Sequence, residues 1–150
     1  MLIFYLPQNA EERLTQCSSF GNLFFLLSSI IDSSSFKEAK RLGRFIKDSK
    51  TSGEYSIVVV GTKRDLREYR AVSEDEGHMI ANELGGTYHE ISSADGYEDI
   101  ERLFRDSVKS HLQSRFTFLD GKTRAMGLKK LKEGLLVRTR SLYRKRGMTF

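Results

Sequence analysis

The 150 residues are 39% hydrophobic and 30% charged, the balance of one soluble domain. A single cysteine, Cys17, excludes an internal disulfide framework and any multi-cysteine zinc site, and His78, His89 and His111 show no ligand-pair spacing, so no metal site is expected. The net charge of +5 is uneven: residues 121–150 carry 10 Lys/Arg and one acid, Glu133, whereas residues 1–120 carry 15 Lys/Arg and 19 acids. A mildly acidic body is followed by a strongly basic tail, and each is read by itself.

In chain order, Met1–Pro7 has no basic flank and is too short for a signal peptide, while Leu2–Tyr5 reads as a strand. The longest apolar run, Phe20 to Ile31, is interrupted by serines and falls short of the roughly 20 residues that span a bilayer. A cytoplasmic protein in a reducing compartment is expected. Leu23–Ile31, Ile57–Val60 and Tyr88–Ile91 read as further strands. The second of these is nearly all β-branched without polar alternation, the pattern of a strand buried on both faces of a parallel sheet. Ser35-x-x-Glu38 and Ser73-x-x-Glu76 each have the spacing of a capping box that opens a helix. Ile100, Leu103, Phe104, Val108 and Leu112 recur as the apolar stripe of a last helix packed on the sheet. Strands alternating with helices predict an α/β fold, three layers, doubly wound, around a mostly parallel sheet. Residues 1–118 are expected to form this body and residues 119–150 the basic tail.

Ligands of doubly wound sheets sit beyond the carboxyl ends of the strands. Two loops emerge there: Gly61-Thr62-Lys63-Arg64-Asp65 after the Ile-Val-Val-Val strand, and Ser92-Ser93-Ala94-Asp95 after the last strand, with Ser92 lying 27 residues beyond Asp65. Alone, the first reads as a solvated turn and the second as a helix N-cap cluster, a role the serines can combine with ligand binding. Together they resemble the guanine-reading Asn/Thr-Lys-x-Asp and Ser-Ala-x motifs of the Ras-like small GTPases, members of the P-loop NTPase fold. Asp32-x-x-Ser35-Phe36 and Val72-Ser73-x-x-Glu76-Gly77 extend the likeness. Gly121-Lys122-Thr123-Arg124 is similar to the tail of the branch typified by the Ras-related oestrogen-regulated growth inhibitor (RERG). The resemblance runs from about residue 8 to about residue 124.

It implies binding of GTP/GDP, GTP hydrolysis with Mg2+, signalling as a switch, and effector or regulator proteins as partners. It also implies guanine-binding roles for Thr62, Lys63, Asp65, Ser92, Ser93 and Ala94. A carboxylate at Asp65 accepts from guanine N1–H and the 2-amino group, which adenine does not offer. The Lys63 stem covers the purine face while its ammonium stays wet. Amides of the Ser92–Ala94 loop donate to guanine O6. Thr62 stands where most relatives carry Asn, a substitution that weakens the base site without abolishing it.

The phosphate-binding Gly-x-x-x-x-Gly-Lys-Ser/Thr does not occur in the 150 residues. Gly121-Lys122-Thr123 is a decoy, because Phe116 stands where the first glycine is required. The switch threonine has no counterpart. The family's Asp-x-x-Gly-Gln aligns with Phe4-Tyr5-Leu6-Pro7-Gln8, in which only Gln8, at the water-positioning glutamine, matches. Phe4 cannot help hold a metal, and Pro7 has no N–H to offer a phosphate. The expectation is therefore an amino-terminally truncated G domain, with no metal ligands and no GTP turnover. It is either part of a longer GTPase or a catalytically dead interaction module acting through an exposed edge of the Leu23–Ile31 strand or through the tail.

Leu128, Leu131, Leu135 and Leu142 share one helical face among Lys129, Lys130, Lys132, Arg138 and Arg140. That pattern reads either as a solvated tail or as a basic amphipathic helix for an anionic membrane or a calmodulin-like partner. Gly127 and Gly134 weaken such a helix. The terminus Gly147-Met148-Thr149-Phe150 has no prenylation motif, and no aromatic-interleaved pattern supports nucleic-acid binding.

Overall fold

The computed structural model describes residues 14–15, 18–50 and 55–145, with side chains through Thr123. Its centre is β2 (Ser56–Thr62), flanked by β1 (Leu23–Ser29) and β3 (Thr87–Glu90) in the order β1-β2-β3. Both pairings are parallel, with Leu26 opposite Val59 and Val60 opposite His89. Each connection crosses over through a helix, as parallel neighbours require. These helices are α1 (Ser33–Ser49) between β1 and β2, and α2 (Glu74–Leu84) between β2 and β3. A 3-10 helix, Arg64–Tyr69, lies between β2 and α2, and α3 (Glu98–Lys145) closes the order.

The side-chain period of two sorts the strands onto two cores. Phe24, Leu26, Ile57 and Val59 face Phe36, Ala39 and Ile46 of α1 and Ile80, Ala81 and Leu84 of α2. Phe25, Val58 and Val60 face Leu103 and Phe104 of α3, where the Phe25 and Phe104 rings lie 4.5 Å apart. The result is the three-layer, doubly wound arrangement that the Ile-Val-Val-Val run predicts. Ile57 through Val60 are all buried, each worth about 1.5–3 kcal/mol of transfer free energy. Among the described residues, β1 pairs only with β2 and so forms the sheet edge on that side.

Local signals fare unevenly. The Ser73–Glu76 capping box is formed: Glu76 N–H donates to Ser73 Oγ at 3.2 Å, and Ser73 N–H donates to Glu76 Oε2 at 2.9 Å. The Ser35–Glu38 box is not formed. Asp32 caps α1 instead, its carboxylate accepting from Ser34 N–H at 2.9 Å, while Ser35 lies inside the helix and accepts from Ser29 N–H at 3.0 Å. β1 stops at Ser29 rather than Ile31, because the Ile30 carbonyl accepts from Ala71 and Val72 and leaves the ladder. On α3 the buried stripe bends away from the expected one. Val108 and Leu112 are 44% and 50% exposed, and Ser107 and His111 are buried in their place. His111 tolerates this because its Nδ1 lies 2.9 Å from Ser56 Oγ. At Gly86 a Cβ would stand 2.2 Å from the Ile57 carbonyl oxygen, so the α2–β3 turn passes β2 closer than any side chain allows.

The chain falls into two compact units, Met1–Gln113 and Ser114–Phe150. Everything above except the distal part of α3 belongs to the first. In the second, the backbone is helical through Lys145. Among the described residues, no helix is long and apolar enough to cross a membrane. The predicted Leu2–Tyr5 strand and the side chains of the leucine face from Leu128 onward lie outside the described residues.

Candidate functional site

Because the three strands are parallel, the loops leaving the carboxyl ends of β2 and β3 share one edge of the sheet. β2 ends at Thr62, whose hydroxyl donates to the Ser28 carbonyl at 3.0 Å. Its one donor proton is thus directed into β1, and Thr62 ties the loop to the sheet. Lys63 then turns the chain at φ 63° and ψ 38°, the one positive-φ non-glycine residue among those described. Left-handed backbone costs a side-chain-bearing residue roughly 1–2 kcal/mol, and such strain gathers at functional sites. Two bonds hold the turn: Arg64 N–H to the Ile91 carbonyl at 3.2 Å, and Leu66 N–H to the Lys63 carbonyl at 2.9 Å.

The turn delivers Asp65 to the second loop. Ser92, only 2% exposed, donates its hydroxyl to Asp65 Oδ1 and accepts from Ala94 N–H at 3.0 Å. Ile91 N–H donates to the Gly61 carbonyl at 2.9 Å, closing the base of both loops. One buried serine therefore joins the carboxylate of the first motif to the backbone of the second. Lys63, Asp65, Ser93 and Ala94 are all exposed around it. The Ala94 amide, an expected donor to guanine O6, is engaged with Ser92 and reaches a ligand only by sharing or leaving that bond. Gln8 lies outside the described residues.

Two arginines bracket the 3-10 helix, and the motif reading overlooks both. Arg70 forks onto Glu90 with Nη1 at 2.7 Å and Nη2 at 2.8 Å, and Tyr88 donates to the same carboxylate at 2.6 Å. The Arg70 hydrogen bond holds Glu90 below the usual carboxylate range, and burial followed by Glu90 pushes the Tyr88 hydroxyl up. Arg64 reaches Asp95 Oδ2 at 2.9 Å and Asp99 Oδ2 at 2.8 Å. Its hydrogen bond keeps Asp99 low, and both aspartates raise Arg64. The available signal is charge: an arginine at each end of the 3-10 helix and acids at each end of the second loop. Among the described residues, no group of three or more His, Cys, Asp or Glu gathers to hold a metal ion. Glu90, Asp95 and Asp99 are paired with arginine and Asp65 with Ser92, so these residues do not fit a Mg2+ site.

Parallel strands that present two such loops on one edge, between helices on both faces, define a doubly wound α/β class. The Ras family model matches residues 10–113, and the chain belongs to that family. It is 33% identical over 104 residues to the human Ras-like protein family member 11A, an alignment covering 69% of this chain and 43% of the relative. The rat protein of that name is 35% identical over 98 residues, covering 65% of this chain and 40% of the relative. The human Ras-related and estrogen-regulated growth inhibitor is 31% identical over 105 residues, covering 70% and 52%. The chain thus spans about two-fifths to half the length of these curated relatives.

Proposed function

We propose that residues 62–65 and 92–94 form a guanine-reading half-site of a small GTPase. In this reading Asp65 discriminates the base, Lys63 covers its face, the Ser92–Ala94 backbone meets O6, and Thr62 and Ser92 hold the loops. The observation that carries the reading is the Ser92–Asp65 hydrogen bond, which joins the two motifs to each other. Where a longer chain supplies phosphate-binding residues, the same loops are half of a complete GTP/GDP site. The 150 residues contain no such loop, so by themselves they bind weakly and do not hydrolyse GTP.

Magnitudes follow from what the 150 residues lack. Each charged hydrogen bond to phosphate is worth about 1.5–3 kcal/mol, so forgoing on the order of five weakens a tight site to about millimolar. Guanosine, GDP and GTP are expected to bind this chain about equally, and adenine nucleotides less well. Asp65→Ala should erase the preference, and phosphate release from GTP should stay at the buffer background. Titration followed by NMR chemical shift decides the matter. Much tighter binding of GTP than of guanosine, unaffected by Asp65→Ala, would overturn the guanine assignment.

A further inference from the structure

We propose that Arg64, the variable third position of the Thr62–Asp65 motif, is a positioning residue that fastens the second base loop to the first and thereby sets the affinity for guanine. The proposal rests on the guanine reading above for its ligand, and on this geometry for its mechanism. The guanidinium donates to the Glu90 carbonyl at 3.3 Å, to Asp95 at 2.9 Å and to Asp99 at 2.8 Å. These acceptors straddle the Ser92–Ala94 segment. Glu90 is the last residue of β3, Asp95 directly follows Ala94, and Asp99 lies in the first turn of α3.

Among the described residues, the other fastenings on this loop act toward its beginning. Ile91 N–H on Gly61, Ser92 on Asp65 and Ala94 on Ser92 all fix the beginning of the loop. At its far end stands Gly96 at φ 110°, a backbone conformation that glycine reaches and side-chain-bearing residues rarely adopt. Arg64 spans this end. It also neutralises two carboxylates that share one of its nitrogens, and without it they repel each other.

Exposure decides where the effect shows. Arg64, Asp95 and Asp99 keep 36–40% of their side-chain surface, so these pairs add little to global stability. Their contribution is local order, which a recognition loop needs for its donors to meet a ligand in register.

The test uses the full chain with Arg64→Gln, Arg64→Lys and the double variant Asp95→Asn/Asp99→Asn. Amide hydrogen exchange is followed with no ligand, and guanosine is titrated by NMR. Arg64→Gln should speed exchange across residues 92–99 while β2 and the thermal midpoint stay unchanged, and should weaken guanosine about three- to tenfold. Arg64→Lys should restore part of the loss, since an ammonium keeps the charge without the fork. The double Asn variant should reproduce the loss and add little on top of Arg64→Gln, the signature of one coupled unit. Unchanged exchange across 92–99 overturns the proposal, and so does equal guanosine affinity in the parent and Arg64→Gln. If the parent binds no guanosine, the base-site reading and the proposed effect on affinity fall together, whereas faster exchange in Arg64→Gln still establishes the fastening.

Discussion

Replacing Phe24 with alanine is expected to remove about 3–5 kcal/mol of stability, the cost of truncating a fully enclosed aromatic side chain. Phe24 is 0% exposed and belongs to the core shared by β1, β2, α1 and α2. The void it leaves is walled by elements joined through hydrogen-bonded strands, so collapse around it is limited. The thermal midpoint should fall by roughly 6–20 °C. Leu27, three positions along β1 and 40% exposed, is the control, and its alanine variant should cost under about 1 kcal/mol. Denaturant titration of both reads the difference directly. Equal losses at the two positions would show that the faces of β1 are misassigned.

The second large effect concerns Glu90 and acid. Its side chain is 10% exposed and that of Arg70 23%, and the two are joined by a bidentate bridge capped by Tyr88. Glu90→Gln removes the anion but leaves the arginine in place. The expected cost is about 2–3 kcal/mol near neutral pH, less than for a fully buried pair because Arg70 stays partly hydrated. The sign of the pH dependence follows from Arg70 lowering the Glu90 pKa from its ordinary 4.5. Such a carboxylate contributes fully above its unfolded value and loses the contribution as pH falls through the lower folded value. A protonated glutamate resembles glutamine, so parent and variant should differ most near neutrality and converge in strong acid. Urea unfolding at several pH values measures the gap. A difference that persists or grows in acid would rule out the ion pair as its source.

The parts of this molecule legible in its sequence are those with local or periodic causes. Ile57–Val60 reads as a twice-buried strand because burial on both faces suppresses polar alternation. The shared edge of Thr62–Asp65 and Ser92–Ala94 follows, because each motif comes directly after a strand of one parallel sheet. Ser73 and Glu76 announce their helix through bonds only three residues long. What escapes is decided by competition or by distance. Asp32 outcompetes Ser35 as a cap because the Ser35 hydroxyl is drawn back to the Ser29 amide. Ser107 and His111 displace Val108 and Leu112 from the buried face of α3, since helix phase and a partner at Ser56 count for more than side-chain polarity. The bonds from Arg64 to Asp95 and Asp99 join residues 31 and 35 apart, a separation that no periodicity encodes.

The all-parallel pairing also shapes how the chain is made. Leu23 on β1 meets Ser56 on β2, so no part of the described sheet forms from a hairpin of near neighbours. A ribosome adds roughly 5–20 residues per second, so after Leu23 is synthesised about 2–7 s pass before Ser56 exists to pair with it. Through that interval Leu-Phe-Phe-Leu-Leu-Ser-Ser, the whole of β1, waits with its ladder groups unpaired. Until β2 pairs with it, that apolar stretch is the part of the described sheet most open to non-native strand pairing.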